Sequence, residues 1–173
     1  MVNNAAPEPW LRGPVPGIVA QLQPAAHAFQ MAWEHTEESV AGLTEADLWA
    51  RPGGVASPGF HLAHLTGSTD RLLTYARGER LSDPQKEALA FEARLETARP
   101  TLERLLGNWR AEVDRALAQL AATPESSLFD ARPVGRQQLP STVFGLLFHA
   151  AEHAMRHTGQ LVTTARIVRA SRA

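Results

Sequence analysis

The sequence predicts an all-α protein, a bundle of four long helices in one domain spanning residues 1–173. Three observations carry that expectation. Apolar residues recur with a helical period, most clearly at Leu102, Leu105, Leu106, Trp109, Val113, Ala116, Leu117 and Leu120. A capping serine with a proline just behind it marks a helix start twice, at Ser57-Pro58 and at Ser82-Asp83-Pro84. No stretch reads as a convincing strand, and 173 residues suffice for a substantial core.

Residues 1–13 are rich in proline and asparagine and are expected to form an irregular lead-in, with Trp10 and Leu11 pinning it to the body. Pro24 fits a first helical turn but not a helix interior, so the first long helix is expected from about Pro24 to Ala41. Phe29, Ala32, Trp33 and Val40 lie on its apolar face, and Gly42 stops it. Thr44, with Asp47 three residues on, caps a short helical turn, and Arg51-Pro52-Gly53-Gly54 is a loop. The second long helix is expected over 58–76, closed by Gly78. The third is expected over 84–121, kinked or broken at Arg99-Pro100 because proline disfavours helical geometry in the residue before it. Pro124, Pro133, Gly135 and Pro140 make 122–140 a long connection, packed on the body or functional, with room for a short extended segment. The last helix is expected from about Ser141 to Val168. Trp33, Trp49 and Trp109 are expected in the core.

Composition narrows the function. A net charge of −1 gives no basic footprint for a nucleic acid. The absence of cysteine excludes disulfides, thiolate metal ligands and cysteine nucleophiles. The N-terminal stretch lacks the basic and apolar regions of a signal peptide, and no apolar run is long enough for a membrane span. The expectation is a cytoplasmic protein, without a nucleic-acid or membrane partner, acting on a small molecule.

The chemistry concentrates in histidine. Of seven in the chain, His149, His153 and His157 are spaced four apart in the last helix. Each step of four turns about 40° around a helix, so the three share one stripe with neighbours about 5–6 Å apart at Cβ. His61 and His64 form a second pair at the start of the second helix. One histidine of that pair and two of the stripe are expected to converge on a divalent metal inside the bundle. Three neutral imidazoles with open positions suit Zn²⁺ or Ni²⁺ first, and also Fe²⁺ or Mn²⁺. The bland alternative is a set of packed or solvated histidines.

Two stretches, S-P-G-F-H-L-A-H-L-T-G-S-T-D-R-L-L-T-Y (57–75) and L-L-F-H-A-A-E-H-A-M-R-H-T-G-Q-L (146–161), resemble the DinB-like superfamily. Further similarity lies at 42–52 and 134–147. The resemblance implies an up-down-down-up four-helix bundle. It also implies a divalent metal held by one histidine of the second helix and an H-x-x-x-H pair of the last, here His64, His153 and His157. The family includes thiol S-transferases of the bacillithiol and mycothiol systems. In that branch a metal-bound thiolate of a low-molecular-weight thiol attacks an electrophile; a hydrolytic variant would use metal-bound hydroxide. The resemblance also implies a homodimer.

Around that set, His61 is an alternative ligand in place of His64. His149 reads as a fourth ligand, a supporting partner or a core residue. Gln160, one turn beyond His157, could bond a ligand's second nitrogen. Glu152 reads as a surface or interhelix residue, and Asp70 and Arg71 as formers of an interhelix ion pair. Arg132 and Arg136 could hold a carboxylate substrate or a thiol cofactor. No residue stands out as a general acid or base. The rival reading is a non-catalytic stress-response or small-molecule-binding bundle in which the metal only staples helices together.

Overall fold

The computed structural model describes residues 7–172, so residues 1–6 of the expected lead-in lie outside it. Seven α-helices and no strand are present among the described residues. They are α1 (Gln23–Val40), α2 (Glu45–Leu48), α3 (Pro58–Ala76), α4 (Asp83–Glu92), α5 (Leu95–Ala98), α6 (Leu102–Ala122) and α7 (Val143–Ala170). Their starts follow from local chemistry. Ser57 Oγ accepts from the Phe60 amide, Thr101 from Arg104 and Thr142 from Gly145. Thr44 with Asp47, and Ser82 with Gln85, form reciprocal capping boxes.

The four long helices build the core. α7 packs along both α1 and α3, and α6 packs on the same two helices. Phe29, Leu62, Leu65, Trp109, Leu147 and Leu161 are fully buried between them. Trp49 is buried beside the first turn of α3, where a Cβ on Gly59 would lie 2.9 Å from its ring, so glycine permits the approach. Trp109 and Trp49 are core, as expected; Trp33 is half-buried, with the Arg110 guanidinium 5.0 Å over its ring.

Two expectations need correction. The helix expected over 84–121 is three separate helices, α4, α5 and α6. Its break before Pro100 is an Arg99 in the left-handed region, φ 41°. α4 itself buries no residue; it sits on α3 through polar contacts. Trp10 and Leu11 do not pin the lead-in, being 56% and 57% exposed. Pro9 is buried instead, and Arg12 clamps the segment to α1 through both oxygens of Glu34, at 2.5 and 2.8 Å.

The connection before α7 is packed on the body. Leu128 is buried and its carbonyl accepts from the Phe144 amide at 2.8 Å. Its extended part consists of isolated bridges, Ala131 to Thr142 and Val134 to Leu139. No described helix is long and apolar enough to cross a membrane.

Candidate metal centre

His64 lies two turns into α3, and His153 and His157 lie on successive turns of α7. The packing of α3 on α7 turns both faces inward, and the three rings meet. Centroids are 4.4 Å apart for His64–His157, 4.5 Å for His153–His157 and 5.3 Å for His64–His153. One nitrogen from each ring can be chosen so that all three lie within 4.8 Å of one another. His64 Nε2 is 3.2 Å from His153 Nε2.

The chemistry of this donor set fits a divalent cation. Burial, then the neighbouring His64 ring, lowers the His153 pKa, so its imidazole stays neutral and keeps a lone pair. The same causes, with His153 and His61 added, push His157 down to about 4. The Nδ1 atom of His153 is buried without a hydrogen-bond partner. Three imidazoles that face one another, two of them difficult to protonate, make a good nitrogen cage.

The other histidines separate around this set. His61 is 6% exposed, and its Nδ1 is 3.4 Å from His157 Nδ1, outside the cluster of three. Burial, then the charge of His64, pushes it to about 4. His149 points outward and faces Glu152 at 3.3 Å, with its side chain about half exposed. Glu152 also takes three bonds from Arg156, at 2.5, 2.7 and 3.0 Å, and lies at the surface outside the cluster. Gln160 is exposed on the wall of a groove.

The arginines of the long connection are elsewhere. Arg132 Nε donates to the Ala76 carbonyl at the end of α3 and its guanidinium lies 3.7 Å from Asp130. Ala76 is twelve residues past His64, about 18 Å along the helix. Arg136 is exposed in the turn closed by the Val134–Leu139 bridge. The structure does not bring either to the histidines. Arg71 pairs with Glu92 of α4 at 2.7 Å, and Asp70 accepts from Gln85 of the same helix at 2.9 Å.

Glu92 is the residue that sequence reasoning missed. Its other oxygen is 2.8 Å from His64 Nδ1. It is one of 18 acidic residues, and nothing in its local sequence separates it from the rest.

An open groove of about 710 Å³ adjoins the cluster. His61, His157 and Phe60 line it on one side, Val55, Thr163 and Ile167 on others.

The sequence model of the DinB superfamily matches residues 28–161. The chain belongs to the DinB superfamily. A structural-genomics crystal structure of a protein from Streptococcus pneumoniae has the same fold, with a TM-score of 0.62 at 16% identity, over 84% of this chain and 88% of that one. A comparison with curated proteins returns no match. Three nearby histidines that can hold a metal ion are thus set in a DinB-type helical fold.

The depressed histidines make the metal-free protein acid-sensitive in a defined window. A folded-state pKa near 4, against an ordinary 6.5, means that the unfolded chain takes up protons first. Their contribution to stability is complete above about pH 6.5 and is lost as pH falls towards 4. Allowing for solvent screening at the half-buried His157, the pair should account for roughly 2–3 kcal/mol. Urea unfolding of chelator-treated protein between pH 7.5 and 4 should show this slope. His61→Asn should flatten it; parallel curves for the two proteins would rule out the assignment.

Proposed function

We propose that His64, His153 and His157 bind one divalent metal ion, Zn²⁺ or Ni²⁺ before Fe²⁺ or Mn²⁺, and that the protein is a metal-dependent enzyme of the thiol S-transferase or hydrolase type. The observation that carries this reading is the meeting of three imidazoles, with nitrogens within 4.8 Å of one another, beside an open groove. A structural site usually closes with four protein ligands, whereas a catalytic one leaves a position for water or substrate. Here three ligands gather, and His157 borders the groove. When bound, the metal would act as a Lewis acid and lower the pKa of a water or thiol.

The chain's own residues would do the rest. Val55, Phe60 and Ile167 offer an apolar wall to the carbon skeleton of a small molecule, and Thr163 and Gln160 offer hydrogen bonds. His61, neutral and next to His157, is the nearest group able to accept a proton from a molecule entering there. His149 stays outside the ligand set in this reading.

The helix directions expected of the family are part of the same proposal. His61 and His64 meet His157 and His153 in reverse order, as antiparallel α3 and α7 would. Arg169, late in α7, donates to the Ala41 carbonyl just past α1, which supports parallel α1 and α7. Gln119, late in α6, donates to the Leu73 carbonyl late in α3, which supports parallel α3 and α6. Together these support the up-down-down-up order. A homodimer in the cytoplasm completes the reading; Phe129 and Phe148, both exposed and in a row with Phe144, are apolar surface that a second copy would cover.

Elemental analysis of protein purified without a histidine tag is the test. About one divalent ion per chain is expected. No binding after Zn²⁺ or Ni²⁺ is supplied would refute the proposal. With the metal established, turnover of low-molecular-weight thiols with electrophiles, against hydrolysis of activated esters and amides, separates the two reaction classes.

A further inference from the structure

We propose that Glu92 is the positioning residue of the histidine cluster, fixing which nitrogen of His64 faces the other two rings, and that Gly67 is the opening that lets it reach. This rests on the metal reading above for its functional consequence. The contact itself can be tested without metal.

A carboxylate can only accept from an imidazole N–H. With Glu92 Oε2 2.8 Å from Nδ1, His64 carries its hydrogen there, and Nε2 is left with the lone pair. That Nε2 is the atom facing His153 Nε2. Two further contacts hold the arrangement. The His64 ring stacks on Phe60, centroids 5.7 Å apart and planes within 8°, which sets its plane. Arg71 holds the other Glu92 oxygen at 2.7 Å, which sets the carboxylate. The carboxylate is thus held between two nitrogen donors, the Arg71 guanidinium and the His64 ring.

Gly67 is the sequence's concession to this contact. It lies in the interior of α3, where glycine costs about 1 kcal/mol relative to alanine. A Cβ there would stand 2.8 Å from Glu92 Oε1 and 2.9 Å from an Arg71 nitrogen. An added methyl would therefore displace the carboxylate rather than the helix. Hydrophobic burial does not explain why Glu92 is held here, since α4 has no buried residue. α4 is tied down by polar contacts at both ends, Gln85 to Asp70 and Thr74, and Glu92 to Arg71 and His64. The plainer alternative is that Glu92 serves only as the ion-pair partner of Arg71. That alternative leaves His64 free to choose its tautomer.

The experiment uses the full chain and three variants, Glu92→Ala, Glu92→Gln and Gly67→Ala. Long-range ¹H–¹⁵N spectra of metal-free protein report the His64 tautomer. Competition against a chromophoric chelator reports Zn²⁺ affinity. Wild type should show His64 protonated at Nδ1, and both Glu92→Ala and Gly67→Ala should lose that preference. Affinity should fall about 10–100-fold in these two and less in Glu92→Gln, which retains an acceptor. Gly67→Ala carries the most weight, because a methyl in a helix interior should otherwise leave stability unchanged or raise it. Unchanged tautomer and unchanged affinity in Gly67→Ala and Glu92→Ala would overturn the proposal. Failure of wild type to bind Zn²⁺ would instead sink the metal reading, while the tautomer comparison would still decide whether Glu92 orients His64.

Discussion

Replacing His153 or His157 with alanine should abolish stoichiometric metal binding while leaving the helical fold in place, and His64→Ala should do the same. Groups that merely support a ligand typically account for 10–100-fold in metal affinity, so losing one of three direct donors should cost more than about 100-fold. The readout need not be catalytic. At a free metal concentration 100 times its dissociation constant, binding stabilises the native state by about 2.7 kcal/mol. For a domain of this size that raises Tm by roughly 5–10 °C. Wild type should show this shift with Zn²⁺ or Ni²⁺, and the three variants should not. His149→Ala is the control, because its ring faces Glu152 outside the cluster and should leave both the stoichiometry and the shift intact. His61→Ala should fall between, since His61 touches His157 without joining the three. A metal-dependent shift that survives in His153→Ala, or vanishes in His149→Ala, would mean that the ligand set is wrong. Loss of the fold itself in the triad variants would favour a metal that only staples α3 to α7.

Spacing makes the histidine stripe of α7 legible, because i, i+4 geometry is local and nearly invariant. It does not carry depth. His149, His153 and His157 repeat with the same period, yet the first faces solvent and Glu152 while the other two meet His64. The choice between His61 and His64 also escapes spacing. Both lie on the α7 side of α3, and only the packing of one helix against the other decides which ring enters the cluster. Helix starts are legible because caps are local: Ser57, Ser82 and Thr44 each bond an amide within three residues. The break at Arg99-Pro100 follows from proline in the same way, whereas the gap between α4 and α5 carries no such mark. Glu92 is invisible for a different reason. Its bond to His64 spans 28 residues and depends on where α4 comes to rest, which is set by side-chain contacts rather than by any periodic pattern.

Trp109→Ala should have the opposite signature to the histidine variants. The Trp109 side chain is fully buried in α6, the helix that packs on both α1 and α3, and it is the largest fully buried side chain among the described residues. Truncation to alanine removes its transfer energy and leaves a cavity that the helices packed around it cannot fully collapse to fill. Such changes typically cost 3–5 kcal/mol, a large fraction of the 5–15 kcal/mol that holds a domain together. A fall in Tm of roughly 6–20 °C is expected. Trp109→Phe should cost less, because it refills most of the space and also removes an indole N–H that has no hydrogen-bond partner. α6 carries none of the three histidines, so Trp109→Ala should still bind one metal ion per chain below its lowered Tm. The triad variants keep the core and lose the ion; the core variant loses stability and keeps the ion. Thermal melts of both classes, with and without Zn²⁺, place the two effects on separate axes. If Trp109→Ala also lost the metal at low temperature while remaining helical, the site would depend on core packing beyond the α3–α7 contact, and the centre could not be treated as a local construction of two helices.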